Sequence, residues 1–81
     1  MQAQANAATI SLPVLQLDAS GESVRLLQKL LILAGNKISF DAHFGADTKN
    51  AVINFQKKNS LTTDGIVGQN TWRPLIDLIQ V

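Results

Sequence analysis

The side chains with the most chemical reach gather in two short stretches of this 81-residue sequence. The first runs Phe40-Asp41-Ala42-His43-Phe44-Gly45-Ala46-Asp47-Thr48, and the second Asp64-Gly65-Ile66-Val67-Gly68-Gln69-Asn70-Thr71-Trp72. Asp41 and Asp64 invite comparison with the paired carboxylates of a glycosidase, one serving as acid and the other as base or nucleophile. A loop-bracing role explains both without catalysis, because aspartate accepts amide hydrogens in turns. No third group suggests a nucleophile or an activated water. Ser20, Ser23 and His43 show no triad-like context. With one histidine and no cysteine, a structural zinc site lacks ligands. No catalytic residue, metal or cofactor is expected.

The two stretches are copies of one idea. Asp41 to Thr48 aligns with Asp64 to Thr71, with Asp, an apolar residue, Gly and Thr at identical spacing. The registration continues, Val52 meeting Leu75, Ile53 meeting Ile76 and Phe55 meeting Leu78. A second echo sets Val24 to Lys29 beside Val52 to Lys57. In this motif Gly45 and Gly68 let the backbone turn sharply into a helix, and Thr48 and Thr71 bond backwards in its first turn. Phe44 and Val67 anchor each loop to the core. Gln28 and Gln56 occupy equivalent registers beside Leu27 and Phe55. They are expected to hydrogen-bond loop backbone, since an unpartnered buried amide costs roughly 1–3 kcal/mol.

The elements that must position these loops read as three helices. The first spans Gly21 to Ala34, with Ser20 as N-cap, Asp18 as a second cap candidate and Glu22 in the favourable first turn. Val24, Leu27, Leu31 and Ala34 recur at helical steps. Leu26, Ile32 and Leu33 widen that face, which predicts a central helix contacted by several elements. Gly35-Asn36 is its stop. The second helix runs from Gly45 as N-cap to Lys58, burying Ala51, Val52 and Phe55. The third starts near Gly68 and carries Trp72, Leu75, Ile76 and Ile79 inward. Pro74 predicts a 3₁₀-like turn over Gln69 to Arg73, with regular helix resuming at the proline.

The fold class is therefore all-α: a compact three-helix bundle of two similar loop–helix units with short 3₁₀ turns. Residues 1–11 read as a disordered, flexible lead and residues 12–81 as the domain. The 46% hydrophobic content is that of a globular protein, and the 16% charged content is low against about 25% in typical domains, which leaves stability to aliphatic packing. A net charge of +1 with scattered basic residues is too little for nucleic acid, which demands several neutralised phosphates. No apolar run reaches the roughly 20 residues of a membrane span.

The ordered set Gly-x-x-Val-x-x-Leu-Gln-x-x-Leu (from Gly21), Asp-x-x-Phe-Gly-x-x-Thr, Ala-Val-x-x-Phe-Gln (from Ala51) and Leu-x-x-Asp-Gly-x-Val-Gly-x-x-Thr-Trp resembles the peptidoglycan-binding domain family. The likeness covers roughly Leu17 to Leu78. It departs from the family at Ala42, where the first loop usually has Gly, and at Pro74, where a helix former is commoner. Ala42 predicts a turn that differs in detail. The family also resembles the pro-segments of matrix metalloproteinases, whose inhibitory cysteine has no counterpart here.

The resemblance implies a monomeric cell-wall module of the periplasm or exterior, non-catalytic, engaging peptidoglycan or muropeptides and serving an attached or separate hydrolase. The alternative is a protein-docking or pro-segment-like module, using the surplus apolar surface of the first helix and Val14, Leu15 and Leu17. A peptidoglycan site wants aromatic faces for sugar rings and amide donors for carboxylates. The candidate contacts are Phe40, Asp41, His43, Gly45, Asp64, Gly65, Asn70 and Trp72. Trp72 falls on the inner side of its helix, which favours the core over a sugar platform. His43 reads more readily as a plain exposed loop residue than as a ligand contact.

Overall fold

The computed structural model describes residues 12–79, so the expected lead over 1–11 lies outside the described residues. Three helices form, α1 (Glu22–Leu33), α2 (Ala46–Lys58) and α3 (Gln69–Ile76). The bundle is the all-α one expected from the periodicity. One core unites Leu15, the α1 face Val24, Leu27, Leu30 and Leu31, the loop anchors Phe44 and Val67, and Ala51, Val52, Phe55, Trp72 and Leu75.

The entry to α1 corrects the expected caps. Neither Ser20 nor Asp18 caps it; the N-cap is Gly21, with no side-chain capping bond. Gly21 lies at φ 112°, ψ −169°, a region essentially reserved for glycine. Ser20 instead forms an antiparallel bridge with His43. Asp18 itself takes a positive φ of 75° and donates its N–H to Phe44 O at 2.8 Å. The backbone dihedral, rather than a hydroxyl, turns the chain into the helix.

Both long helices end alike. Asn36 N–H reaches Leu31 O and Gly35 N–H reaches Ile32 O; Leu61 N–H reaches Gln56 O and Ser60 N–H reaches Lys57 O. These paired bonds close the last carbonyls around a residue of positive φ, Gly35 at 104° and Ser60 at 57°.

Helix α3 is continuous through Pro74, so the 3₁₀-like turn expected over Gln69 to Arg73 shrinks to a single bond in the first turn. The proline forfeits a single bond, to the Asn70 carbonyl one turn back. The tightening sits at the ends instead. Thr71 N–H bonds Gly68 O three residues back, and Leu78 and Ile79 bond Leu75 and Ile76 in the same way.

Two packing expectations also change. Ile76 and Ile79 are exposed, as are Leu26, Ile32 and Leu33. Helix α1 packs against α2 and α3, and no further described helix exists to cover its remaining apolar side. The α3 stripe narrows to Trp72 and Leu75 because the helix ends after eight residues.

A strap over residues 12–21 ties the two loops together. Leu15 and Val67 exchange both backbone bonds, at 3.0 and 2.8 Å. Phe44 N–H reaches Ala19 O and Gly21 N–H reaches Ala42 O. At its start, Trp72 Nε1 donates to Pro13 O at 2.8 Å and Gln69 Nε2 to Leu12 O at 3.0 Å. Leu15 is thus buried core rather than an available docking residue, while Val14 and Leu17 remain exposed.

Candidate functional site

Each loop is built around a glutamine from the helix before it. Gln28 Nε2 donates to Asp41 Oδ1, His43 O and Thr48 Oγ1 at 3.0–3.1 Å. Its Oε1 accepts the N–H groups of Asp41 and Ala42. Gln56 repeats the pattern on Asp64 Oδ1, Ile66 O and Thr71 Oγ1, and its Oε1 accepts Gly65 N–H. The glutamines are at most 1% exposed, yet every polar atom has a partner, which is the condition for burying an amide cheaply. The two threonines accept from these amides, an anchorage across helices that the repeat alone did not reveal.

The aspartates brace the turns as expected. Oδ1 of Asp41 accepts His43 N–H, and Oδ1 of Asp64 accepts Ile66 N–H, both at 3.0 Å. The Gln28 amide, followed by the His43 N–H, holds the Asp41 carboxyl below its ordinary value of 3.8. A folded-state value below the unfolded one means the ionised form stabilises the fold. That contribution is fully present above 3.8 and is lost as pH falls through the depressed value. Thermal melts taken downward from neutral pH should therefore fall off less steeply in Asp41→Asn than in the parent below 3.8. Equal slopes would remove Asp41 as an acid-sensitive brace.

Ala42 and Gly65 occupy the same turn position at φ 64° and 73°, so the expected difference in the first turn does not arise. Alanine carries a left-handed penalty of roughly 1–2 kcal/mol. Glycine's extra unfolded freedom offsets about 0.4–1 kcal/mol. Ala42→Gly should accordingly stabilise by about 0.5–1 kcal/mol, read as a higher urea midpoint. The reverse change, Gly65→Ala, is expected to destabilise, since the new Cβ would also stand 3.1 Å from Lys49 Cε.

Gly45 and Gly68 correct another expectation. Their φ values of −98° and −106° with ψ −166° are extended backbone that any residue adopts. A Cβ at Gly68 would meet nothing within 4 Å. Their effect is to leave the first turns of α2 and α3 open, with N–H groups unclaimed by a capping side chain.

Those openings are clefts. The second corner opens on about 570 Å³ lined by Val14, Gln56, Ser60, Leu61, Thr62, Asp64, Ile66, Gly68, Gln69, Asn70 and Thr71. The first opens on about 200 Å³ lined by Ser39, Asp41, His43, Gly45, Ala46, Asp47 and Thr48. Shifted by the repeat interval, from Asp41 to Asp64, every residue of the smaller cleft falls on one lining the larger. Their chemistry differs. Asp47 and His43 give way to Asn70 and Ile66, leaving the larger cleft with one carboxylate amid amides and hydroxyls.

Of the candidate contacts, Asp41, His43 and Gly45 share the smaller cleft and Asp64 and Asn70 the larger. Gly65 is buried behind its loop. Trp72 is 1% exposed and belongs to the core, so its ring cannot serve as a sugar platform. Phe40 is the exposed aromatic, carrying Arg25 Cζ at 4.6 Å from its ring centroid. Sequence reasoning missed Ser60, Thr62 and Val14 as lining residues. They lie outside the repeated motif and reach the cleft only through the folded strap and the end of α2. Among the described residues no cluster of three metal-ligating side chains occurs, and no helix is long and apolar enough to cross a membrane.

The arrangement is that of a small binding domain with paired loop–helix corners, and the comparisons identify its family. Residues 20–75 match the model of the peptidoglycan binding domain; the chain belongs to this family. It is 40% identical over 65 residues to an N-acetylmuramoyl-L-alanine amidase of Bacillus licheniformis, covering 76% of this chain and 18% of the amidase. The SleB N-terminal domain superposes with a TM-score of 0.79 at 38% identity, covering 85% of this chain and 96% of that one. A peptidoglycan-binding protein of Clostridioides difficile, solved with glutamine hydroxamate, gives a TM-score of 0.77 at 42% identity. That match covers 79% of this chain and 40% of the other. The chain spans between 18% and 55% of the curated relatives it matches.

Proposed function

We infer that this domain holds itself, or a hydrolase joined to it, on peptidoglycan in the cell envelope, as a monomer and without performing chemistry on the wall. The observation that carries the reading is the family match over residues 20–75 on a fold whose two corners open as clefts of equivalent lining. The larger cleft is the principal site. Its Ser60, Thr62, Gln69 and Asn70 side chains and the open first turn of α3 offer neutral donors and acceptors suited to acetamido and hydroxyl groups. Asp41, His43 and Gly45 form a secondary contact. Weak single contacts suffice on a polymer, because repeated engagement raises the effective concentration.

Incubation with purified insoluble sacculi tests this reading. The protein should sediment with the wall at low salt and release no soluble fragments. Complete recovery in the supernatant removes the binding claim, and solubilised wall removes the non-catalytic one. A second reading, docking to a protein partner, is favoured by the exposure of Leu33 and Val14, at 59% and 63%. Amide shifts that appear with a purified hydrolase but with no muropeptide would select it.

A further inference from the structure

Glu22, Arg25, Leu26 and Lys29 of α1, with Phe40 from the connection to α2, line a groove of about 430 Å³ separate from both clefts. Their spacing places them on one helix face, turned away from the buried Val24, Leu27, Gln28 and Leu31. The Phe40 ring gathers two cations, Arg25 Cζ at 4.6 Å and Lys29 Nζ at 5.7 Å. Like charges four residues apart repel, and the ring face offsets that repulsion. Glu22, the one acid in the lining, forms an exposed ion pair with Arg25 Nη1 at 3.6 Å, longer than a hydrogen bond and of the weak surface kind. The guanidinium and ammonium therefore keep open donors above a floor of Leu26 and Phe40, which are 41% and 44% exposed.

We propose that this groove is a second subsite, for a peptide that carries a free carboxylate beside small aliphatic groups. The carboxylate takes the planar Arg25 fork, with Lys29 as a second charge, and the aliphatic groups lie on Leu26 and Phe40. Arg25 and Lys29 already lie over the Phe40 ring, so a sugar ring can stack there only by displacing them. The inference rests on the wall-binding reading for the source of the peptide, the short stem peptide of peptidoglycan. Division of labour follows: the larger cleft takes neutral sugar and amide groups, and the α1 groove takes the charged peptide end.

Amide-resolved titration tests it with four probes: a disaccharide–tripeptide with free carboxylates, the same compound amidated, the tripeptide alone, and sacculi. Resonances of Arg25, Leu26, Lys29 and Phe40 should shift with both free-carboxylate probes and stay still with the amidated one. The double variant Arg25→Gln/Lys29→Gln changes only exposed positions. It should bind the free-carboxylate muropeptide about five- to tenfold more weakly and the amidated one as the parent does. Equal shifts and affinities for free and amidated probes overturn the subsite. A silent α1 groove with responding loop clefts also overturns it, and leaves the wall-binding reading standing. Groove shifts with the tripeptide, without retention on sacculi, keep the subsite and remove that reading.

Discussion

Gln56→Leu is expected to lower the unfolding free energy by about 3–5 kcal/mol, the loss of several partners at about 1–3 kcal/mol each with partial relaxation. The side chain is 1% exposed and answers Gly65 N–H, Ile66 O, Asp64 Oδ1 and Thr71 Oγ1 at once. Leucine fills the volume and leaves those groups facing an apolar atom. A domain of this length is stable by roughly 4–12 kcal/mol, so the variant should be marginal. Gln28→Leu removes the same kind of brace, but the N–H groups its Oε1 accepts, from exposed Asp41 and half-buried Ala42, lie nearer solvent than the buried Gly65 N–H, and water can replace it more readily. Its cost should be smaller, about 2–3 kcal/mol. Urea denaturation gives both values, and hydrogen exchange should show Gly65 losing protection first. A cost of about 1 kcal/mol or less for Gln56→Leu would mean that the loop holds its shape without the amide.

The second large effect belongs to Trp72→Ala, at about 3–5 kcal/mol. The indole is the largest fully buried side chain, and its Nε1 secures Pro13. Removing it opens a cavity and releases the start of the strap together. Trp72→Phe keeps most of the packing and loses the donor, for about 1–2 kcal/mol. Thermal melts followed by circular dichroism separate the three proteins. Because the ring is buried, Trp72→Phe should sediment with sacculi as the parent does. A folded Trp72→Phe protein that no longer binds would restore the indole as a ligand contact.

These two side chains mark the boundary of what linear order reveals. Gln28 and Gln56 were legible as loop braces because a polar residue recurs in equivalent registers beside core residues. Asp41 and Asp64 were legible because an aspartate four residues before a helix start accepts turn amides. The caps were not. Ser20 is a preferred N-cap type with an acid in the turn that follows, yet its backbone is drawn into a bridge with His43, and Gly21 turns the chain instead. Pro74 reads as a helix breaker, yet the single bond it costs inside an eight-residue helix is outweighed by burying Trp72 and Leu75 on either side of it.

The doubled Asp-x-x-apolar-Gly-x-x-Thr pattern, the three helical periods and the family resemblance all reside in residue order, because spacing along a helix sets which side chains share a face. The all-α class and the paired corners follow from that. Which corner opens into the larger cleft does not. Val14, Ser60 and Thr62 join Asp64 and Asn70 there only because the strap pairs with Val67 and α2 ends on a left-handed Ser60. The meeting of Arg25 and Lys29 over Phe40 is likewise tertiary, since it needs the chain after α1 to return along that helix. Local spacing builds the corners, and long-range pairing decides what faces them.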